Sequence, residues 1–246
     1  MTTSPAPNPH LDMAVVHHGP PIERARLVGI AVHGRGQTPQ YMLDHLIDRL
    51  HHDDTRDDGH HDDGHHDDGH HNDGHHRHDI HWVLPAASGG AWYPLGFMAP
   101  MHDNQPHLDH ALAVLDHIVE SMGIVQPERI IWAGFSQGAC LVSEWVARHP
   151  RRWAGLLAFT GGRIGPEGTD LSVHGTSGRF DGMPAYFGAG ARDAWVPLDR
   201  VERTAAAFRS AGADVTVDAF DDDLHEIRPA EIARARALIY RALPKG

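Results

Sequence analysis

One pentapeptide constrains the fold of this chain more than any other segment: Gly134-Phe135-Ser136-Gln137-Gly138. It follows the apolar run 130–133, which is typical of a buried strand, and it opens a helix-like stretch. This setting predicts a sharp strand–turn–helix connection, in which the residues two before and two after Ser136 must be small because they approach its backbone. The serine hydroxyl then stands above the sheet edge, and Ser136 is the candidate nucleophile. The alternative is a surface turn that happens to carry a serine, since chance matches to this pattern are common.

The rest of the chain alternates strand-like and helix-like runs, which predicts an α/β fold with a mostly parallel central sheet and helices on both faces. The chain has 246 residues, enough for one sizeable core, and we expect a single domain over residues 26–243. Residues 1–25 lack the pattern of a signal peptide, and we expect them to form a flexible N-terminal arm. Helices are predicted over residues 39–50, 107–122, 137–149, 198–211 and 229–243.

A serine nucleophile needs a base, and around a turn of this kind the acid and then the base follow in loops after later strands. The strand-like run 184–190 is followed by Asp193, the candidate acid, and the run 215–220 is followed by His225, the candidate base. Taken singly, Asp193 is as well explained as a helix cap and His225 as one solvated histidine among 24. Their order and loop positions together favour catalysis. The aspartates of residues 221–223 are rival acids, ranked lower because they share the loop of the base.

The tetrahedral intermediate of such a reaction needs backbone N–H donors for its oxyanion. Gln137, at the start of the helix after the serine, supplies one candidate N–H. The strand-like run 26–32 leads into a His-Gly turn, and the backbone N–H of Arg35 is the second candidate. A phosphate-binding loop is the alternative for this turn, but the segment contains neither G-x-x-x-x-G-K-[ST] nor G-x-G-x-x-G.

We expect the substrate pocket among the loops at the carboxyl ends of the strands. The candidates to contact an apolar acyl group are Trp92, Phe97, Met98 and Trp195. The alternative for each of them is packing of its loop against the protein body. The single cysteine, Cys140, permits no internal disulfide and fits a reducing compartment. We expect it to be a small buried residue, with a cysteine nucleophile as the alternative.

The chain resembles the phospholipase/carboxylesterase family of α/β-hydrolases, which includes the acyl-protein thioesterases. The resemblance covers residues 26–243 apart from one insertion, and it implies an α/β-hydrolase fold with Ser136, Asp193 and His225 as the catalytic triad. It also implies a cytoplasmic, metal-independent esterase or thioesterase that needs no cofactor. The matching segments are Val32-His33-Gly34-Arg35-Gly36, Trp92-Tyr93-Pro94, the G-F-S-Q-G form of the serine turn, residues 190–197 and Leu224-His225-Glu226-Ile227.

Residues 51–79 depart from this family. The pentapeptide Asp-Asp-Gly-His-His recurs with a period of five, and the segment holds 11 of the 24 histidines and 10 of the 33 acidic residues. Because it contains no large apolar side chain, we expect a low-complexity insertion that forms no packed core, and a tolerated repeat expansion is the favoured explanation. Imidazole and carboxylate also bind divalent transition metals. Adventitious metal binding is expected at His60, His61, His65, His66, His70 and His71.

Two function classes remain open. The first is a serine hydrolase that cleaves carboxylic esters or thioesters of small to medium acyl chains through an acyl-enzyme. The second is a metal-binding or metal-buffering protein built on a hydrolase scaffold. The net charge of −12 and the lack of a basic aromatic patch suggest no nucleic-acid partner. No apolar run is long enough to predict a membrane span. The sequence leaves the oligomeric state open, with a homodimer as one option.

Overall fold

The computed structural model describes residues 7–51, 79–123, 125–173 and 179–244. Within them, seven strands form one sheet with the order β1-β3-β2-β4-β5-β6-β7. The strand β1 pairs with β3 in the antiparallel sense, and all the other pairs are parallel. The strands are β1 (Val15–His18), β2 (Leu27–Val32), β3 (Ile80–Pro85), β4 (Ile130–Phe135), β5 (Gly155–Phe159), β6 (Pro184–Gly190) and β7 (Asp214–Phe220).

The helices follow the predicted runs closely. Two short helices, α1 (Pro39–Met42) and α2 (Asp48–His51), are joined by the π-helical stretch Leu43–Ile47, so that the predicted helix over 39–50 is continuous but irregular. The longer helices are α3 (His107–Ser121), α4 (Gln137–Arg148), α5 (Leu198–Ser210) and α6 (Pro229–Ala242).

The sheet separates two apolar cores, which explains why its central strands are buried on both faces. In β2, Val28 and Ile30 pack into the core that α3, α4 and α5 cover. From the same strand, Leu27 and Ala31 pack into the core that α6 and the residues around Leu46 cover. A mostly parallel sheet with helices on both faces is therefore confirmed, which is the architecture that the predicted α/β-hydrolase fold requires.

The prediction of a flexible arm over residues 1–25 is wrong for part of that segment. Residues 15–18 form β1, which pairs with β3 along its whole length. Further upstream, the Asn8 side chain donates a hydrogen bond to the His110 carbonyl at 2.8 Å, and His10 is only 4% exposed. The polar composition of the segment concealed this order, because the stabilising contacts come from residues far away in the sequence.

The histidine-rich insertion predicted over 51–79 lies outside the described residues, except for His51 and Asp79 at its ends. Among the described helices, none combines the length and the apolar character that crossing a membrane requires.

Candidate active site

Ser136 sits on a strained turn between β4 and α4. Its φ of 53° and ψ of −118° place an L-residue in a rarely populated region, and its N–H donates to the Phe159 carbonyl at 2.9 Å. A Cβ on Gly134 would lie 2.5 Å from the Gly138 oxygen, and a Cβ on Gly138 would lie 2.1 Å from the Val32 oxygen. Both flanking glycines are therefore required by close backbone approach, as the sharp turn predicts.

The structure brings Ser136, His225 and Asp193 into one line of hydrogen bonds. His225 Nε2 lies 2.8 Å from Ser136 Oγ, and His225 Nδ1 lies 2.7 Å from Asp193 Oδ2. With a neutral imidazole, Nδ1–H donates to the carboxylate and Nε2 accepts from the serine hydroxyl. The ring of Phe135 packs beside the imidazole at a centroid distance of 5.3 Å. The spacing matches that of a nucleophile, its base and the group that orients the base.

The second oxygen of Asp193 is bound by its own loop. Its Oδ1 accepts from the N–H groups of Trp195 at 2.7 Å and Val196 at 3.0 Å, and the carboxylate side chain is fully buried. Two of the three rival aspartates have other partners: Asp221 pairs with Arg192, and Asp222 pairs with an arginine of the His225 loop. Asp193 is thus the carboxylate in contact with His225.

An open cleft of about 620 Å³ lies beside these side chains. Phe97 and Trp195 line it, as predicted, and Trp195 is 75% exposed at its rim. The prediction that Trp92 and Met98 line the cleft is wrong. Trp92 is fully buried and its indole N–H donates to the His33 carbonyl at 2.9 Å, whereas Met98 packs against the core under α3–α5. The cleft is lined by Arg35, Tyr93, Pro94, Leu95, Gly96, Phe97, Ser136, Gln137, Cys140, Trp195, Val196 and His225.

The two residues chosen for the oxyanion site both lie at this cleft. Gln137 is the first residue of α4, so its N–H is one of those that a helix leaves without an intrahelical partner. Arg35 follows β2, the strand that neighbours β4. A helix N-terminus and a neighbouring loop therefore both meet the cleft beside the Ser136 hydroxyl.

The side chains of the same two residues have a role that the sequence did not reveal. The Arg35 guanidinium donates to the carbonyls of Tyr93, Pro94 and Leu95 at 2.9, 2.8 and 2.6 Å. The Gln137 amide donates to the Tyr93 carbonyl at 2.8 Å, and its oxygen accepts from an N–H of the same loop. The loop of residues 87–96 is therefore bound to both oxyanion candidates. Contacts over such sequence separations leave no local pattern.

Two buried histidines also form hydrogen bonds with the backbone of that loop. His10 Nδ1 accepts from the Ser88 N–H at 2.9 Å, and its Nε2 lies 3.2 Å from the Trp92 carbonyl. His33 Nε2 accepts from the Ala87 N–H at 3.1 Å. Each ring uses one nitrogen as an acceptor, which requires the neutral form. Burial lowers the pKa of both histidines, in keeping with that form.

Cys140 lines the cleft as a neutral thiol. It is buried, and burial raises its pKa to about 12, so almost no thiolate is available as a nucleophile. In the described ranges, no group of three or more His, Cys, Asp and Glu side chains is arranged to bind a metal ion. The histidines named as metal ligands from the sequence lie outside those ranges.

The family model described as Phospholipase/Carboxylesterase matches residues 76–243. Among solved structures, a phospholipase/carboxylesterase from Dyadobacter fermentans DSM 18053 is 29% identical, with a TM-score of 0.74 over 93% of this chain and 97% of that chain. No curated protein matches the sequence.

Two more distant structures share the fold. A Bacillus cereus carboxylesterase is 14% identical with a TM-score of 0.65, and the match covers 94% of this chain and 95% of that chain. The protein SOBER1 from Arabidopsis thaliana is 16% identical with a TM-score of 0.59, and the match covers 89% of this chain and all of that chain.

Proposed function

Since the chain belongs to the phospholipase/carboxylesterase family and is therefore a hydrolase, we propose that it cleaves carboxylic esters or thioesters through Ser136. In this proposal His225 is the general base and then the general acid. Asp193 fixes the tautomer of His225 and stabilises the imidazolium. The backbone N–H groups of Arg35 and Gln137 bind the oxyanion.

The reaction begins when Ser136 Oγ attacks the acyl carbon and its proton moves to His225 Nε2. The former carbonyl oxygen becomes an oxyanion at the two N–H donors. When the intermediate collapses, the bond to the alkoxide or thiolate breaks, and His225 returns the proton to that leaving group. A water molecule then attacks the acyl-enzyme by the same route, and the carboxylic acid leaves with Ser136 restored.

The observation that carries this proposal is the continuous hydrogen-bonded line from Ser136 through His225 to Asp193. Its two distances, 2.8 and 2.7 Å, are within the reach of proton transfer. The strained serine turn supports the same function, because backbone strain of this kind costs free energy and persists where the surrounding structure enforces it.

The shape of the cleft supports acyl groups of small to medium size. Its volume of about 620 Å³ is typical of small-molecule sites, and Phe97, Val196 and Trp195 give it apolar walls. The cleft is open on one side, where Leu95 and Trp195 are exposed. An ester and a thioester pass through the same type of oxyanion, so both leaving groups belong to the proposal.

The test is turnover on a panel of p-nitrophenyl esters and acyl thioesters, with and without a chelator. We expect turnover that the chelator does not change and that Ser136→Ala reduces by at least about 10⁴-fold. Ser143→Ala is the matched control, because that serine is buried in α4, the helix that follows Ser136, and does not line the cleft. Equal turnover in Ser136→Ala and wild type would contradict the proposal.

Several sequence predictions stay predictions. The metal-binding alternative rests on residues outside the described ranges, and the described residues give it no support. A homodimer and a cytoplasmic location are likewise untested.

A further inference from the structure

The loop that carries His225 follows the last strand of the sheet. Among the described strands, β7 pairs only with β6, so one side of it has no neighbouring strand. Catalysis requires the base to keep its geometry within about half an ångström. A loop at a sheet edge needs contacts of its own to meet that requirement.

Arg228 supplies such contacts from within the loop. The residue is only 5% exposed. Its Nη2 donates to the Leu224 carbonyl at 2.7 Å, and its Nη1 donates to the Glu226 carbonyl at 3.4 Å. Leu224 and Glu226 are the two residues that flank His225. One guanidinium therefore binds the backbone on both sides of the base.

Two carboxylates bind the same guanidinium. Nε and Nη2 of Arg228 donate to the two oxygens of Asp222 at 2.9 and 2.5 Å. Glu231, in the first turn of α6 and fully buried, accepts from the Arg228 N–H at 2.9 Å and from its Nη1 at 3.3 Å. We call Arg228, Asp222 and Glu231 the charged cluster. It joins the loop of the base to the start of the helix that follows.

The charged cluster packs directly against β6, whose end leads into the loop of the acid. A Cβ on Gly190 would lie 2.8 Å from Asp222 Oδ1 and 3.0 Å from Arg228 Nη2. A Cβ on Gly188 would lie 2.1 Å from Glu231 Oε1. The two glycines that end β6 thus leave the space that the cluster occupies. The cluster therefore fixes the loop of the base relative to β6, the strand that leads into the loop of the acid.

We propose that Arg228 is a positioning residue, which with Asp222 and Glu231 keeps the His225 imidazole aligned with its two partners. This inference rests on the proposed function. Arg228 does not touch the reacting atoms, so its effect passes through the backbone of the loop. The planar fork of an arginine suits this role, whereas lysine offers one point charge and cannot bind a carboxylate and two carbonyls in the same geometry.

The test compares Arg228→Ala and Arg228→Lys with Arg234→Ala as the matched control. Arg234 lies on α6, where it pairs with Asp218 at the protein surface. We expect Arg228→Ala to lower kcat about 100-fold with little change in KM, because a small misplacement of a catalytic group has an effect of that size. Arg228→Lys should recover less than about a tenth of the loss. Arg234→Ala should keep wild-type kcat.

Two readouts separate positioning from a general loss of stability. Millimolar guanidinium chloride should raise the kcat of Arg228→Ala, whereas potassium chloride at the same ionic strength should not. The low-field proton NMR signal of His225 Nδ1–H, which reports the bond to Asp193, should broaden or vanish in Arg228→Ala. It should remain in Arg234→Ala.

The outcomes keep the two proposals apart. If the proposed function is wrong, the wild type shows no Ser136-dependent turnover. The positioning role is overturned if the wild type is active and folded Arg228→Ala has a similar kcat and an intact low-field signal. If Arg228→Ala does not fold, Asp222→Asn decides, because Asp222 is partly exposed. We expect about a 10-fold lower kcat for Asp222→Asn, and an unchanged kcat overturns the inference.

Discussion

The two sides of the active site are built with different chemistry. On the base side, the loop of His225 is fixed by the charged cluster, in which Arg228 binds two carboxylates. On the oxyanion side, the loop of residues 87–96 is bound by backbone-directed hydrogen bonds, among them those of His10 and His33 in their neutral forms. The base side therefore depends on a cluster of charged side chains, whereas the oxyanion side depends in part on two histidines that must stay uncharged.

This difference predicts opposite responses to pH. Burial raises the pKa of Glu231 to about 7, so the folded state holds its proton more tightly than the unfolded chain does. Burial lowers the pKa of His10 and His33, so the folded state holds their protons less tightly. Acidification should lower the stability that His10 and His33 contribute on the oxyanion side. A rise in pH towards neutrality should lower the stability that Glu231 contributes on the base side. The following variants test this difference between the two sides.

The largest effect is expected on the base side, from Asp193→Asn. The loop N–H groups of Trp195 and Val196 hold one oxygen of this side chain, so the asparagine NH2 would face His225 Nδ1 as a donor, and the imidazole loses its working tautomer. We expect kcat to fall about 10⁴-fold with the fold retained. Asp199→Asn, an exposed aspartate in the first turn of α5, is the matched control and should keep full activity. A loss below about 10-fold in Asp193→Asn would show that another group orients the base.

The second largest effect is expected at Gly138, where α4 contacts the end of β2. A Cβ on Gly138 would lie 2.1 Å from the Val32 oxygen and 2.6 Å from the His33 oxygen, so Gly138→Ala must push α4 away from β2. We expect the free energy of unfolding to fall by about 3 kcal/mol, measured by urea denaturation. Gly96→Ala is the control, because its Cβ would meet nothing within 4 Å. Equal stability of the two variants would contradict the close approach.

Glu231→Gln isolates the pH response of the base side. Between the ordinary glutamate pKa and about 7, the unfolded chain ionises while folded Glu231 keeps its proton, so wild-type stability falls as pH rises through this window. Glutamine cannot ionise, so that part of the fall should vanish. It amounts to about 3 kcal/mol across the window. Urea denaturation across this pH range measures it, with exposed Glu202→Gln as control. Identical pH slopes in all three proteins would be inconsistent with a raised pKa of Glu231.

The smallest effect is expected on the oxyanion side, from His10→Asn. The variant should lose about 1 kcal/mol of stability above neutral pH, because asparagine replaces the two imidazole hydrogen bonds incompletely. On going to about pH 5 it should lose less further stability than wild type, because one group that resists protonation has been removed. His18→Asn, at an exposed residue of β1, is the control. If His10→Asn loses as much stability on acidification as the wild type does, His10 does not contribute to the acid sensitivity of the oxyanion side.

The parts of the structure that were predictable from the sequence are the parts that local pattern determines. The glycines around Ser136 predict the turn because the steric requirement lies within five residues. The long helices were predicted to within one residue at their ends, as for α3, which ends at Ser121 rather than at residue 122. The loops that follow β6 and β7 predicted that Asp193 and His225 would meet, because parallel strands end at one edge of the sheet.

The parts that could not be predicted depend on contacts between distant segments. Trp92 was predicted to line the pocket, but the rings of His10 and His33 pack against it at centroid distances of 5.5 and 5.1 Å. The short strand β1 carries no signal of its own, because its stability comes from pairing with β3. Arg228 lies near His225 in the sequence, yet nothing in the local pattern distinguishes it from a surface arginine.

Covalent labelling with a fluorophosphonate, with the adduct located by mass spectrometry, tests the central claim most directly. An activated serine reacts with this reagent, whereas an ordinary surface serine does not. The account predicts one adduct on Ser136 of the wild type, no adduct in Ser136→Ala, and much slower labelling in Asp193→Asn. A folded wild-type protein that remains unlabelled, or that is labelled at another residue, would contradict the assignment of Ser136 as the nucleophile.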